Sequence, residues 1–457
     1  MKPISIVVAG ASGYIGRSVI PELQKKFPEA IITALSRSPQ TSTDSNVKWV
    51  ACDLFSLKSL ELAMPKEVDL ALYLVHSMGP TAQLDQGSFA DYDLILADNF
   101  ARALKRSPPR HLIYLAGLIP ATGHLSLHLQ SRLEVEETFR EHRIPMTVLR
   151  AGLILGDAGS SFQILLKLVK RLPIMLCPKW TQTLTTPVDL QTVVETIASA
   201  ALNDSHVGKI YDLAGCAPLT YAEMMRQTAK RLGRRRYFFS VPFFTPTLSR
   251  LWVTLITNTP KALVYPLVES LRHEMVARPE HRFEPGGTAI TYAELLEKET
   301  MKTYPGRSFF HFQAASKSVR SVQRIPLPEG RDAEWVKNQY VRWLPKAFFP
   351  VLRVETAGSD IYFSLLAKKP VLLRLHYNAE RSQSDRQLLY ILKSILAKED
   401  EKGRLEFRVV LNRRFVLAAI HDFKPALPWF LYKMTQAKIH LLVMRAFGKS
   451  INSGEGT

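Results

Sequence analysis

Cysteine is scarce in this chain of 457 residues, which contains only Cys52, Cys177 and Cys216. Three cysteines this far apart cannot form a disulfide framework, and none belongs to the CxxC pair that is typical of zinc and redox sites. The sequence therefore predicts no metal site. It favours a reducing compartment, for which the cytoplasm is the simplest expectation.

Long apolar runs are also missing. Residues 251–271 come closest to the length of a bilayer span, but Pro260, Lys261, Pro266 and Glu269 interrupt them. The N-terminal apolar run ends at once in glycine and serine, so we expect no signal peptide. With 46% hydrophobic and 22% charged residues the chain is typical of a globular protein, and its length predicts two or three domains.

Acidic and basic residues nearly balance in the first half of the chain, and acidic residues are scarce relative to basic ones only in the second half. Residues 1–216 contain 21 Lys and Arg against 20 Asp and Glu, whereas residues 217–457 contain 39 against 21. The second half therefore carries almost all of the net charge of +19. Such a charge favours an anionic membrane surface, a nucleic acid or a phosphorylated ligand as partner, and charge kept for solubility explains it equally well.

The first half alternates predicted strands with predicted helices joined by short connections. Each strand is a short apolar run, as a strand buried on both faces requires. This alternation predicts an α/β fold with a doubly wound parallel sheet of the Rossmann type. The predicted strands are residues 4–9, 30–35, 47–52, 68–75, 111–115 and 146–149.

Three glycines, Gly10, Gly13 and Gly16, lie between the first strand and a helix-like stretch. A turn in this position needs glycine for its backbone geometry and for close approach of a pyrophosphate, which the start of the following helix can bind. The pattern favours dinucleotide binding, and its alternative is a tight turn without a ligand.

The end of the second strand bears on the choice between NAD and NADP. An acidic residue there would bind the free ribose diol of NAD, but this chain has Ser36, Arg37 and Ser38, with Arg17 just after the glycines. Two guanidinium groups suit a 2′-phosphate better, so NADP is favoured, with NAD as the alternative. Asp53 is placed to meet the adenine or to cap a helix that begins near Ser56.

Several motifs in residues 1–280 resemble the atypical, extended members of the short-chain dehydrogenase/reductase superfamily, which are epimerase-like NAD(P)-binding proteins. The motifs are GASGYIG at 10–16, CDL at 52–54, YLVHSM at 73–78, YLAGL at 114–118, LRAG at 149–152 and LTYAEMM at 219–225. The resemblance implies that Gly10, Ser12, Gly13, Tyr14, Ile15 and Gly16 bind the pyrophosphate. It also implies the 2′-phosphate contacts of Arg17, Ser36 and Arg37, the adenine contacts of Asp53 and Leu54, and the ribose and nicotinamide contacts of Val75, His76, Gly117 and Arg132.

One departure from that family concerns catalysis. Its active members pair a tyrosine with a lysine four residues later, whereas the matching positions here are His128 and Arg132. Arginine can bind ribose but cannot release a proton, while histidine exchanges protons near neutral pH. We therefore expect His128 to be the proton donor if the chain is catalytic, with a polar loop residue of no catalytic duty as the alternative.

Residues 151–300 are predicted to form the substrate lobe of the first domain. Within them, residues 237–271 are rich in Phe, Leu and Pro and follow a basic cluster at Arg231 and Arg234–Arg236. Such a stretch can line an apolar cleft or lie on a membrane, but it is more often ordinary core.

Residues 301–330 are predicted to be a linker, and residues 331–457 a second, α+β domain. Alternating runs between residues 352 and 421 predict an antiparallel sheet, and residues 428–447 a long closing helix. This order resembles the helix-grip fold of lipid-transfer and polyketide-cyclase proteins, which implies either a cavity for a hydrophobic ligand or a filled core.

Three functions follow from these features. The first is an NADP-dependent oxidoreductase or isomerase acting on a hydrophobic substrate. The second is a non-catalytic cofactor-binding scaffold or redox sensor, with possible contact to an anionic membrane. The third is a protein whose basic second half binds a membrane or a nucleic acid. We do not expect a nucleic acid, because the basic residues are scattered and not interleaved with aromatic residues along a groove.

Overall fold

The computed structural model describes residues 3–42, 44–77, 84–121, 123–156, 159–241, 246–283, 290–300, 318–365, 370–398 and 400–453. The chain divides into two compact units. The N-terminal unit comprises residues 1–80 and 93–311, and the C-terminal unit comprises residues 81–92 and 312–457.

The strands of residues 3–300 are β1 (Ser5–Ala9), β2 (Ile31–Ser36), β3 (Val47–Ala51), β4 (Leu70–Tyr73), β5 (Leu84–Gln86), β6 (His111–Gly117), β7 (Met146–Ala151), β8 (Ile154–Leu155), β9 (Ile174–Pro178), β10 (Leu184–Thr185), β11 (Val188–Asp189), β12 (Ile210–Leu213), β13 (Leu219–Thr220) and β14 (Tyr237–Val241). The helices are α1 (Tyr14–Lys26), α2 (Leu57–Ala63), α3 (Phe89–Leu104), α4 (Leu127–Glu141), α5 (Ser160–Arg171), α6 (Leu190–Leu202), α7 (Tyr221–Arg231), α8 (Pro246–Thr257), α9 (Lys261–Ser270) and α10 (Tyr292–Thr300).

A parallel seven-stranded sheet forms the centre of the N-terminal unit, in the order β12-β7-β6-β4-β1-β2-β3. The predicted α/β fold with a doubly wound sheet is confirmed. The strand order reverses between β1 and β4, and ligands of such sheets bind at the carboxyl ends of the strands beside this point. Residues 211–213, which the sequence analysis assigned to the substrate lobe, are instead part of the edge strand β12.

Alternation along β1 explains why the sheet is covered on both faces. Ile6 and Val8 pack with residues of α1 and α6, whereas Val7 and Ala9 pack with residues of α3 and α4. An unbroken apolar strand therefore has buried side chains on both sides. Helices α5, α7, α8, α9 and α10 surround a further core that forms the rest of the unit.

The remaining elements belong to the C-terminal unit. Its strands are β15 (Val319–Pro326), β16 (Leu352–Ala357), β17 (Asp360–Leu365), β18 (Val371–Tyr377), β19 (Arg386–Leu392), β20 (Arg404–Val410) and β21 (Phe415–Phe423). Its helices are α11 (Ala333–Ala347), α12 (Trp429–Met434) and α13 (Gln436–Asn452).

Seven of the C-terminal strands form the predicted antiparallel sheet, in the order β16-β17-β18-β19-β20-β21-β15, and β5 adds an eighth strand parallel to β15. Strand β15 lies inside the predicted linker, of which residues 301–317 are outside the described residues. Pro326 and Pro328 at the end of β15 are typical of a connecting segment. Its main partner, β21, follows about a hundred residues later, so no local pattern reveals the pairing.

The closing helix is two helices in the structure. Thr435 separates α12 from α13 with a non-helical backbone, and its hydroxyl donates to the carbonyl of Leu431 at 2.6 Å. Helices α11 and α13 pack on the sheet through Tyr340, Phe407 and Phe447, whose ring centroids lie 5.2–5.5 Å apart. These rings belong to a packed core, and the resemblance to a helix-grip fold stays a prediction.

Candidate functional site

The glycine turn connects β1 to α1 at the carboxyl edge of the sheet. Gly10 has a φ of +85°, and a Cβ there would lie 2.9 Å from the carbonyl oxygen of Leu74. Gly16 is packed more tightly still, because a Cβ would lie 2.3 Å from the carbonyl oxygen of Gly10. Gly13 precedes the first turn of α1 and offers no side chain to cap it. The turn therefore presents backbone N–H groups at a helix start, which fits the pyrophosphate of a dinucleotide.

A cavity of about 450 Å³ opens beside this turn and follows the ends of β4, β6 and β7. It contains both the glycine turn and the positions proposed for catalysis. The predicted site residues in its wall are Gly10, Gly13, Tyr14, Ile15, Gly16, Val75, His76, Gly117, His128 and Arg132. The other predicted residues, Ser12, Arg17, Ser36, Arg37, Asp53 and Leu54, are not among the residues that line it.

The two arginines predicted for the 2′-phosphate are exposed. The Arg17 guanidinium donates to the carbonyl of Ser12 at 3.0 Å and to Oε1 of Gln40 at 2.9 Å, and it stacks over the ring of Trp49. These contacts hold one cation beside the ends of β2 and β3, where the sequence analysis had not assigned a role to Gln40 or Trp49. The buried Ser36 hydroxyl donates to the carbonyl of Ser38.

Asp53 follows β3 and does not cap the next helix. Helix α2 begins at Leu57 and is capped by Ser56, so the capping alternative for Asp53 is wrong. The Asp53 carboxylate accepts from the backbone N–H of Phe55 at 3.1 Å, and the carbonyl of Leu54 accepts from the Asn99 side chain at 2.9 Å. The adenine contacts of Asp53 and Leu54 stay predictions.

A buried ion pair lies at the inner end of the cleft. The Arg132 guanidinium donates to Asp93, and the same carboxylate accepts from the Ser131 hydroxyl at 3.0 Å and from the backbone N–H of Ser77 at 2.9 Å. Both side chains of the pair are at most 5% exposed. Arg132 therefore neutralises Asp93, and its predicted contact with a ribose stays a prediction.

Two histidines extend this network into the cleft. His76 Nδ1 lies 3.3 Å from Asp93, and His76 Nε2 lies 3.2 Å from Nε2 of His128. The two rings are stacked, with centroids 5.2 Å apart. His128 Nδ1 in turn lies 3.1 Å from the Ser270 hydroxyl. We call the chain Asp93–His76–His128–Ser270 the histidine relay.

The relay fixes which histidine nitrogens carry protons. A carboxylate only accepts hydrogen bonds, so His76 Nδ1 carries its proton toward Asp93, and Nε2 of His76 accepts from His128. That arrangement leaves His128 Nδ1 as the acceptor that faces Ser270. The Ser270 hydroxyl also lies 3.0 Å from the carbonyl of Pro266, so it has a second acceptor when it leaves His128.

Both histidines of the relay are neutral at pH 7. Desolvation and the positive charge of Arg132 lower the pKa of His76. Burial, followed by the neighbouring His76 and Arg132, holds the pKa of His128 well below its ordinary value. Burial alone would raise the pKa of Asp93, but Arg132 and His76 outweigh it and hold that pKa below its ordinary range. At pH 7 the relay is therefore in its neutral, proton-accepting form, and its protonated form is a stronger acid than an ordinary imidazolium.

Replacement of Arg132 by methionine is expected to destabilise the fold by roughly 3 kcal/mol, because Asp93 stays buried without its cation. Urea unfolding at pH 7 measures this loss. Since the folded pKa of Asp93 is lowered, the pair stabilises above about pH 4, the ordinary carboxyl range, and this contribution is lost as the pH falls through the folded pKa. The difference in unfolding free energy between the wild type and the variant should therefore become smaller in acid.

Arg140→Met on the same helix is the matched control. The Arg140 guanidinium is 53% exposed and reaches Glu136, which keeps its buried partner Arg150 at 2.8 Å. The control should lose less than about 1 kcal/mol, as exposed pairs do. An equal loss in the two variants would contradict a buried role for the Arg132 charge.

An apolar pocket of about 140 Å³ adjoins the cleft. Within the part of the chain that the structure describes, the two cavities share six residues in their walls, which are Gly117, His128, Ala151, Gly152, Ser161 and Leu267. The rest of the pocket is mostly apolar and includes Leu165, Leu168, Trp180, Tyr221, Met225, Val253, Val264, Val268 and Leu271. His128 and Ser270 supply its polar edge, so an apolar group in the pocket would lie against the outer end of the relay.

The sequence analysis missed Asp93 and Ser270. Asp93 lies in the first turns of α3, and its partners come from two other segments of the chain, residues 76–77 and 131–132. Ser270 lies 142 residues from His128 along the chain. No local pattern marks either residue, although a buried carboxylate was to be expected near the unusual Arg132.

Residues 6–119 match the NAD dependent epimerase/dehydratase family. This match covers the glycine turn and the parallel strands β1, β2, β3, β4 and β6 of the sheet, so this part of the N-terminal unit is similar to an NAD(P)-binding Rossmann domain of that family. The auxiliary protein GraX of Staphylococcus aureus is 31% identical over 119 residues, which are 26% of this chain and 37% of that protein. The chain thus matches little more than a third of the length of this curated relative.

Two solved structures share the fold. Triphenylmethane reductase of Citrobacter sp. has a TM-score of 0.53 at 18% identity and covers 65% of this chain and all of its own. NADPH-dependent quinone oxidoreductase of Escherichia coli, solved with NADPH, has a TM-score of 0.52 at 18% identity and covers 65% of this chain and 99% of its own. Within the described residues, no helix is both long and apolar enough to cross a bilayer.

Proposed function

We propose that this chain is an NADP-dependent oxidoreductase that acts on a hydrophobic substrate bearing a carbonyl, quinone or alcohol oxygen. The observation that supports this most is the position of His128, which lines both the dinucleotide cleft and the apolar pocket. A group able to move a proton thus lies where a cofactor and an apolar substrate would meet. The two reductases that share the fold, one solved with NADP(H) and the other with NADPH, support the same choice.

The cleft would hold the dinucleotide by its phosphates. Gly10, Gly13 and the first turn of α1 would bind the pyrophosphate, and Arg17 and Arg37 the 2′-phosphate. The bound cofactor supplies or accepts a hydride, which is the chemistry that the side chains of this site lack. Val75 and Gly117, at the ends of β4 and β6, would border the ribose and nicotinamide.

The histidine relay would handle the proton. In the oxidation of an alcohol, His128 Nδ1 takes the hydroxyl proton when the substrate oxygen replaces Ser270, which turns to Pro266. The positive charge that then forms is shared with His76 and stabilised by Asp93. In reduction of the carbonyl the same nitrogen returns the proton, because the base of one direction is the acid of the reverse direction. His128 is thus a proton donor only in its charged form.

The apolar pocket limits the substrate. A cavity of about 140 Å³ is close to the roughly 150 Å³ that holds one benzene molecule. One aromatic or branched apolar group therefore fits, with the oxygen at the His128 edge. A charged or strongly polar substrate would find little polar contact among these walls.

The substitution Arg37→Glu should reverse the preference for NADPH over NADH. We expect the affinity for NADPH to fall by about 10- to 100-fold, because a carboxylate would repel the 2′-phosphate, while NADH binding changes little. Titration of both cofactors on the wild type and the variant measures this. Arg143→Glu, also at an exposed arginine of the same unit, is the control for net charge, and an equal NADPH loss there would contradict the assignment.

Turnover decides between this proposal and a non-catalytic scaffold. Purified protein with NADPH is assayed against lipophilic quinones and aromatic aldehydes, and loss of NADPH absorbance is followed. The proposal predicts turnover with at least one acceptor and none with polar aldehydes of similar reactivity. Tight NADPH binding without turnover of any acceptor would favour the scaffold or redox sensor. The absence of the family's tyrosine and lysine pair is the argument for that alternative.

A further inference from the structure

A two-stranded parallel sheet of the N-terminal unit carries large apolar side chains on its outer face. Ile174 and Leu176 of β9 are 53% and 36% exposed, and Tyr237 and Phe239 of β14 are 65% and 54% exposed. In the strand register Tyr237 lies beside Ile174 and Phe239 beside Leu176, so the four side chains are neighbours. We call these four residues the apolar face.

The alternation in β9 shows that this exposure is not a failure of packing. Met175 and Cys177, which alternate with the exposed residues, are at most 3% exposed and belong to the core of the unit. The strand therefore has a regular inner side and a regular outer side. An outer side built of Ile, Leu, Tyr and Phe is unusual where only water covers it.

Positive charge lies at the end of the apolar face where both parallel strands begin. Exposed basic residues come directly before both strands, at 170–171 before β9 and at 234–235 before β14. Arg236 joins the two segments, because its guanidinium donates to the carbonyls of Val169 at 2.7 Å and Lys170 at 3.1 Å. Residues 158–188 and 224–268 contain twelve Lys and Arg and no Asp or Glu.

Helix α8, which contacts the segment that leads into β9, forms part of the wall of the apolar pocket. Val253 of α8 lines the pocket, whereas Leu251 and Leu255 of that helix are 47% and 79% exposed. The Arg171 guanidinium donates to the carbonyl of Ile256, which ties the end of α8 to the segment that leads into β9. An apolar surface and an apolar pocket are therefore separated by a single helix.

We propose that the apolar face docks on an anionic lipid bilayer. Tyr and Phe side chains suit the interfacial layer of a membrane, and Lys and Arg beside them are attracted by anionic headgroups at about 1 kcal/mol each. A second copy of this chain is a poorer occupant, because a symmetric contact would bring two strongly basic surfaces together. One consequence rests on the proposed function: the hydrophobic substrate would reach the pocket from the membrane.

Vesicle sedimentation tests the docking with the full chain. The vesicles are phosphatidylcholine alone or phosphatidylcholine with phosphatidylglycerol, at low and high salt. We expect binding to the anionic vesicles, at least tenfold weaker binding to the neutral ones, and a loss on addition of salt. Leu176→Ser with Phe239→Ser, and separately Arg234→Glu with Arg235→Glu, should each weaken binding to anionic vesicles at least tenfold.

Matched controls come from α2 of the same unit, where Leu62 is 80% exposed and Lys58 is exposed as well. Leu62→Ser and Lys58→Glu should leave vesicle binding unchanged. Equal binding by the variants of the apolar face, or a loss caused instead by Phe430→Ser in the C-terminal unit, would overturn the proposal. So would sedimentation velocity showing a dimer that Leu176→Ser with Phe239→Ser dissociates. NADPH affinity is measured on the same variants, so a failure of docking is distinguishable from a failure of the proposed function.

Discussion

His128→Ala lowers the turnover of a lipophilic acceptor by about 10²- to 10⁴-fold while the affinity for NADPH changes little. The size is that of a lost general acid or base. The cofactor is retained because the glycine turn, not His128, contacts its phosphates in the proposed site. Steady-state rates with the best acceptor of the panel, combined with NADPH titration, separate the two effects.

The neighbouring residues of the relay give this prediction its controls. His76→Gln keeps a hydrogen bond to His128 but cannot share its charge, so it should lose less than His128→Ala. His124→Ala replaces an exposed histidine four residues from His128 and should retain full activity. Equal activity of His128→Ala and the wild type would contradict the catalytic assignment.

The pH dependence of the two directions should differ. Because the pKa values of His76 and His128 are lowered, the accepting form of the relay is filled at pH 7 and above. Oxidation with NADP⁺ should therefore be constant from about pH 7 upward and decline in acid, below the ordinary histidine pKa of about 6.5. Reduction, which needs the protonated pair, should speed up as the pH falls over the same range.

Gly13→Asp should abolish dinucleotide binding, with a loss of about 10³-fold or more. A Cβ at this position would lie 3.1 Å from the carbonyl oxygen of Gly10, and the added carboxylate would stand at the helix start where a pyrophosphate is expected. Repulsion between like charges in such a site costs several kcal/mol. Thermal-shift and calorimetric titration with NADPH measure the loss.

Gly13→Ala separates shape from charge in the same position. The backbone of Gly13 has a φ of −70°, which alanine adopts readily, so the fold should persist in both variants. Alanine should weaken NADPH only modestly, because the Cβ contact is tight but the charge is absent. Full NADPH binding by Gly13→Asp would show that the glycine turn is not the phosphate site.

The parts of the fold that the sequence predicted well are local in their causes. A β-branched run, three spaced glycines and a following helix are each specified by neighbours along the chain, and β1, the turn and α1 have the expected order. The linker prediction depended on composition alone, and the partner of β15 lies in a remote strand. Punctuation by Pro326 and Pro328 could not reveal that pairing.

Only the residues of the candidate site that belong to a sequence motif were predictable. His128 and Arg132 were found because they replace residues of a known motif. Their roles in the structure differ from those of the motif, however, because Arg132 forms an ion pair with Asp93, which neutralises its charge. That ion pair and the Ser270 contact join segments far apart in sequence, so only the folded arrangement shows a relay in place of a single proton donor.

Calorimetric titration of NADPH and NADH onto the wild-type chain tests the central claim most directly. We expect one NADPH per chain, bound at least tenfold more tightly than NADH, since the cleft has one glycine turn and Arg17 and Arg37 are proposed to bind the 2′-phosphate. Absence of heat and of thermal stabilisation with either dinucleotide would contradict it. The glycine turn would then be a structural feature of the fold without a ligand.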